Sequence, residues 1–292
     1  MAIRARFAED IGTKESVPCF SGISPMANTT TGRVTRAIAI ACACLVMTLA
    51  ARAQSSPVPS ATTPAHPSAA PAAMPTADQI LDRCVAAEGG SANLRRLLSR
   101  VMTGTISVPS MSWSGTVEIR KKAPNRSLAV ILINGASYRQ GFDGEAGWTD
   151  DPKYGLRDQT GAELAETRRD SDFYHTLDLR RLFSKITLKG KGTIDDRDAY
   201  VLEAALPDGD APEEMYFDVQ SGLLVRTVSQ RHGPEGTSEY QQDYEDYRDV
   251  DGVKLPFTVR QTNEGTLVII TVAEYHHNVP LDDGEFAKPA AQ

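Results

Sequence analysis

Five acidic side chains crowd into DYEDYRDVDG, residues 243–252: Asp243, Glu245, Asp246, Asp249 and Asp251. Acids ahead of a glycine are the material of a calcium loop. Such a loop needs ligands at its first, third and fifth positions, a glycine at the sixth and a bidentate Glu at the twelfth. Setting Gly252 sixth puts Tyr247, Asp249 and Asp251 at the first three ligand places and Thr258 at the twelfth. The first and last ligands are then missing. Asp251-Gly252 lies between two runs of strand-forming residues. Asp-Gly in that setting specifies a two-residue type I′ hairpin turn, whose central residues both need positive φ. The stretch reads as a turn, and no metal is expected on it.

The other residues capable of chemistry are scattered. His66, His175 and His232 stand alone, and the adjacent His276 and His277 point to opposite faces of a strand. No H-x-x-x-H, C-x-x-C, G-x-S-x-G or Gly-rich phosphate loop occurs. Neither a nucleophile–base pair nor a metal constellation can be named, so the expectation is a non-enzymatic protein without a cofactor. Cys19, Cys42 and Cys44 fall near the N-terminus, leaving only Cys84 further on. One thiol makes no internal disulfide, and Cys84 sits among apolar residues on a predicted helix, as a buried structural cysteine does.

The N-terminal part reads as an export signal. Residues 37–51, AIAIACACLVMTLAA, are small and apolar, follow Arg33 and Arg36, and lead into Ala51-Arg52-Ala53. A positive region, a short apolar core and an A-x-A site describe a secretory signal peptide. Cleavage is expected after Ala53, with the mature protein in the periplasm. Glu9, Asp10 and Glu15 suit such a leader poorly, and Met26 is an alternative start. Residues 54–76, rich in Pro, Ala and Ser, read as a disordered tether, and 77–292 as one folded domain. Of 31 Lys/Arg and 38 Asp/Glu, the leader holds six and three, leaving 25 against 35, a net of −10. That balance, with no basic run, argues against nucleic acid or an anionic membrane surface as partner.

The domain opens with two short helices. Thr76 or Asp78 can cap the first, Ile80, Cys84 and Ala87 fall at helical spacing, and Gly89-Gly90 ends it. Ser91 can cap the second, which carries Leu94, Leu97 and Leu98. Strands follow, separated by turn residues such as Asn134-Gly135, a strong hairpin signal. Residues 160–185 lack turn residues after Gly161 and read as one or two amphipathic helices inserted between strands. Strands then resume to residue 275. The whole is α+β: about eleven antiparallel strands of a single meander. A sheet that long curls or closes.

Some strands alternate cleanly, as Trp113, Val117 and Ile119 do against Thr116, Glu118 and Arg120. LAVILI (128–133) and LVIITV (267–272) are apolar on both sides, and a strand with two apolar faces is covered on both. One reading is a packed core under the helices. The other is a curved sheet whose concave face forms an apolar cavity, a common kind of ligand site.

VEIRKKAPN (117–125), GFDGEAGW (141–148) and NVPLDDGEFAKP (278–289), in this order of helix, hairpins, inserted helix and closing strands, resemble bacterial outer-membrane lipoprotein-sorting proteins, the LolA/LolB-like family. The resemblance spans most of residues 77–289. It implies an unclosed antiparallel β-barrel with helices covering the concave face. The implied ligand is a lipid or lipoprotein acyl chain in an apolar half-barrel cavity, without covalent chemistry, held by a monomer. The alternative is a non-enzymatic envelope module with a packed core that binds a protein partner. A hydrolase with an unrecognised site is a third reading. Trp113, Val117, Ile119, Leu128, Val130, Leu132, Phe142 and Trp148 are the candidate cavity lining, and a one-residue slip would flip that set to the other face. Leu164, Phe173 and Leu177 are candidate lid contacts. The family's carrier ties its lid with an Arg just before the Pro-Asn step. Ala123 stands there in this chain, so either Lys122 substitutes or the lid is held differently.

Overall fold

A computed structural model describes residues 74–290. The expected leader, and all but the last three residues of the expected tether, lie outside the described residues. Helix α1 (Ala77–Ala87) starts at a capping box. Thr76 Oγ1 accepts the Gln79 N–H at 3.2 Å, and Gln79 Oε1 accepts the Thr76 N–H at 2.8 Å. Gly89 and Gly90 follow at φ 125° and 83°, which ends it. A short α2 (Ser91–Arg95) leads into the sheet.

The strands are β1 (Ser99–Val108), β2 (Trp113–Lys122), β3 (Arg126–Ile133), β4 (Ala136–Phe142), β5 (Gly147–Asp151), β6 (Gly155–Asp158), β7 (Lys185–Ile194), β8 (Arg197–Ala205), β9 (Glu213–Asp218), β10 (Leu224–Gly233), β11 (Gly236–Val250), β12 (Val253–Asn263) and β13 (Thr266–His277). Two helices, α3 (Gly161–Asp170) and α4 (His175–Leu182), separate β6 from β7. Asn134-Gly135 has φ 50° and 80°, and Asp251-Gly252 has φ 54° and 78°, so both are the doubly positive hairpin turns that the sequence specifies.

All thirteen strands form one antiparallel sheet, in the order β6-β5-β4-β3-β2-β1-β13-β12-β11-β10-β9-β8-β7. This corrects two expectations. The count is thirteen, not about eleven: the sequence reading passed over β6, whose turn from β5 is built by Asp151, its carboxylate accepting the N–H groups of Lys153 and Tyr154 at 2.8 Å each. The sheet is also not one meander. Two meanders, β1–β6 and β7–β13, are zipped together by the pairing of the first strand with the last. Strands consecutive in sequence pair throughout, except β6 and β7. The unclosed seam of the half-barrel is therefore the place where the chain inserts α3 and α4.

The sheet curls. Ile106, Val117, Ile133, Tyr138, Phe257, Val268 and Ile270, from six different strands, meet in one buried cluster on its concave face. A second cluster joins Ile80, Leu81 and Cys84 of α1 with Leu179 of α4, Phe183, and Leu202, Met215 and Phe217 of β8 and β9. A third packs Leu94 and Leu97 against Val253 and Leu255, with Phe173 and Leu177 beside them. The helices thus lie over the concave face. Burying each large apolar side chain is worth about 1.5–3 kcal/mol, so these clusters supply most of the drive to curl.

Candidate functional site

The clusters leave a gap. Between the central core and the α1–α4 core, beneath α3, lies a half-open cavity of about 470 Å³. That is within the usual range of ligand pockets, roughly 300–1,000 Å³. Its lower wall is apolar, made by Cys84, Leu179, Met215, Phe217 and Leu224, with Ile119 opposite. Its upper wall is polar and charged. Strands β9 to β11 aim Glu213, Thr227, Arg231, Tyr240, Gln242 and Tyr244 inward, and α3 aims Glu166, Thr167 and Asp170 back at them.

Helix α3 is unusual in what it buries. Its buried residues are Glu166, Thr167 and Arg169, so polar contacts rather than apolar packing fasten it. Arg231 Nη1 donates to Asp170 Oδ2 at 2.5 Å and lies 3.8 Å from Glu166 Oε2. His232 hydrogen-bonds Glu166 through both its Nδ1 and its backbone N–H, the latter at 3.1 Å to Oε1. Gln140 Nε2 donates to Thr167 Oγ1 at 3.0 Å, Arg157 holds Glu163 bidentately at 2.7 and 2.6 Å, and Lys121 Nζ donates to the Asp170 carbonyl at 2.7 Å. The seam is bridged again at its rim, where Lys153 and Tyr154 of the β5–β6 turn hold Glu235 of the β10–β11 turn.

Burial shapes the electrostatics. It raises the Glu166 carboxyl, against the opposing pull of His232 and Arg231. Burial alone would raise Asp170, yet Arg231, Arg169 and His175 hold it below the usual carboxylate range. Burial likewise lowers Lys121 and His175. Glu88 and Glu213 are both pushed up to about 7, chiefly by burial, with the Asp170 charge adding to the effect at Glu213. Tyr244 is pushed up to about 12 by burial.

The expected lining divides between the two faces of the sheet. Trp113, Val117 and Ile119 face inward, but Val117 and Trp113 belong to the central core, and only Ile119 reaches the cavity. Phe142 is fully buried on the inward-facing row that includes Gln140. Leu128, Val130 and Leu132 are on the convex side. The register pairs Ala129 with Ile119 and with Gln140, so the odd-numbered residues of β3 face in and the even-numbered face out. Leu128 and Val130 pack there with Trp148 and Phe286, and Leu132 is exposed. Trp148 lies across Gly141, where an added Cβ would come 2.4 Å from the indole. These four are therefore not cavity residues.

The lid set shifts in the same way. Lys122 reaches outward and donates to the Leu281 carbonyl and to Asp283 of the C-terminal tail, both at 2.7 Å. Its neighbour Lys121 is the one that holds α3. Leu164 packs near Gly147 and Gln159. Phe173 and Leu177 rest on the α2 core and anchor the corner between α3 and α4. The residues that sequence reasoning missed are Glu166, Asp170, Glu213, Arg231, His232, Tyr240 and Tyr244. For Tyr240 and Tyr244 the signal was the run SEYQQDYEDY, polar on both faces of a strand flanked by strands with an apolar face. A polar row that looks inward has to face something polar. Among the described residues no cluster of three or more His, Cys, Asp or Glu could hold a metal, and no helix is long and apolar enough to cross a membrane.

Solved structures share this architecture. A DUF1329 family protein from Desulfovibrio piger superposes with a TM-score of 0.50 at 15% identity, covering 74% of this chain and 98% of that one. A LolA superfamily protein from Nitrosomonas europaea gives 0.48 at 15% identity, over 74% and 99% of the two chains. At these identities the likeness is one of fold alone. No family description matches the sequence. No curated protein matches it.

Proposed function

We propose that this chain is an exported, non-enzymatic binding protein of the bacterial cell envelope that holds an amphiphile, a lipid or a lipoprotein acyl chain, beneath its inserted helices. One observation carries the reading: a half-open cavity of about 470 Å³ with one apolar and one polar wall. The LolA-like fold and the secretory pattern of residues 33–53 support the setting. A tail lies against Cys84, Leu179, Met215, Phe217 and Leu224, gaining about 0.8 kcal/mol for each buried CH₂. The polar portion points toward α3. Helix α3 is fastened by polar contacts, which water can replace, so lifting it is the proposed way in.

A second reading is an envelope module that binds a protein partner. The dense packing of the central concave core, where an open apolar cavity was expected, favours it. Native mass spectrometry of protein purified without detergent separates the two. A discrete excess mass that vanishes on denaturation and extracts as lipid supports the carrier. A clean protein mass, unchanged after incubation with phospholipid vesicles and with acylated peptides, overturns it in favour of the partner module.

A further inference from the structure

The polar wall of the cavity has its cations engaged and its acceptors unfilled. Arg231 is committed to Asp170, and Lys121 to the Asp170 carbonyl. His232 is committed to Glu166. Gln159 and Asn263 line the same cavity, and their buried amide oxygens, Oε1 and Oδ1, have no hydrogen-bond partner, though the residues are only 4% and 6% exposed. Buried polar atoms are rarely left so, and each asks for an explanation.

The Gln159 amide is fixed by hydrogen bonds, and Asn263 is positioned by the strand pairing around it. Gln159 Nε2 donates to Thr149 Oγ1 at 3.2 Å, and its backbone N–H to the Gly147 carbonyl at 2.8 Å. A Cβ on Gly147 would come 2.2 Å from Gln159 Oε1, so the glycine makes the room that this amide uses. Asn263 ends β12, paired to Tyr240 on one side and Thr266 on the other. Beside it Tyr240 accepts from Gln242 at 3.5 Å, and further along β11 Tyr244 donates to the same Gln242 at 3.1 Å, so a row of neutral polar groups runs along the strand.

We infer that the polar end of the cavity receives an uncharged, hydroxyl-bearing head group, a glycosyl or polyol head, and discriminates against a phosphate. The inference rests on the proposed amphiphile-binding role of this cavity. A phosphate is acceptor-rich and needs free cations or N–H donors. It would instead meet the Glu213 carboxyl. A hydroxyl both donates and accepts, so it satisfies a side-chain amide in either orientation of its O and N atoms. An ammonium head only donates and matches one orientation alone.

The test is calorimetric titration of the full protein with octyl glucoside and with octyl phosphate below their micelle concentrations. The tails are identical, so any difference comes from the head. The glucoside is expected to bind at least about tenfold tighter. Gln159→Met and Asn263→Leu keep side-chain size and remove the acceptor. Each is expected to weaken the glucoside by about tenfold, the worth of one hydrogen bond in a dry site, and to leave octyl phosphate unchanged. Equal or tighter binding of the phosphate overturns the head-group inference and leaves the amphiphile reading standing. So does a glucoside affinity that neither variant alters. Failure of both ligands to bind overturns the cavity reading itself. The comparison on the unmutated protein decides the matter even where a variant folds poorly.

Discussion

The indole Nε1 of Trp148 donates to the backbone carbonyl of Phe286 at 2.9 Å, on the convex side of the half-barrel. The two residues lie 138 positions apart, and with Leu128 they form a small sealed core that clamps the C-terminal tail to β3 and β5. Phe286 is fully buried. Phe286→Ala is expected to cost about 3–5 kcal/mol in urea unfolding. Trp148→Phe should cost about 1 kcal/mol for the lost hydrogen bond, plus any packing defect. Because the clamp is outside, both variants should keep the ligand affinity of the folded fraction. A loss of affinity at full folding would place Trp148 in the binding machinery after all.

Adjacent residues on β3 should behave oppositely. Ile133 is 0% exposed and inward, whereas Leu132 is 52% exposed and outward. Ile133→Ala is expected to destabilise by about 2–5 kcal/mol. Leu132→Ala should stay within about 0.5 kcal/mol. Similar losses at both positions would mean that the strand register is wrong.

Helix α3 should open by itself when its fastenings are cut. Arg231→Leu removes the cation that Asp170 and Glu166 share; with the Asp170 side chain 43% exposed, the cost should be about 1–3 kcal/mol, below that of breaking a fully buried pair. The cost should fall on the seam. Amide exchange is expected to quicken over residues 161–170 while β1, β2 and β13 keep their protection. Uniform loss of protection across the sheet would show that α3 is integral to the fold rather than a cover on it.

The two raised carboxyls predict a pH profile. Glu88 and Glu213 have folded values of about 7 against an ordinary 4.5, with burial as the main cause. A folded value above the unfolded one means that the group favours folding below about pH 4.5, and that this contribution is lost as pH rises through about 7. Glu88→Gln and Glu213→Gln should therefore each raise stability at pH 8, on the order of 1 kcal/mol after allowance for partial exposure, and change it little at pH 4. Melting curves of both variants at the two pH values check this. A variant that destabilises at pH 8 would mean that its carboxylate has a partner worth more than the cost of burying it.

Much of the framework was legible because it is local. Thr76 with Gln79, Asn134-Gly135 and Asp251-Gly252 act through their own backbone, so sequence neighbours suffice to read them. The strand β6 was not legible: GLRD is four residues, without the alternation that marks a strand, and pairs only because β5 lies beside it. The face of β3 was not legible either. LAVILI is apolar on both sides, so nothing in its own pattern says which row looks inward.

The sequence by itself determined an antiparallel, hairpin-built sheet with helices at its start and middle. It did so through turns, caps and alternation, whose energies act between residues close in the chain. Only the tertiary structure decided that β1 pairs with β13, so that the seam falls at α3 and α4. That pairing brings Arg231 and His232 to Glu166 and Asp170, more than sixty residues away. It also set the cavity's character. Where the concave face is apolar it packs on itself, because dry contact between apolar side chains is the favourable state. The space that remains open is the space whose walls are partly polar, since buried polar groups need partners and cannot simply collapse together.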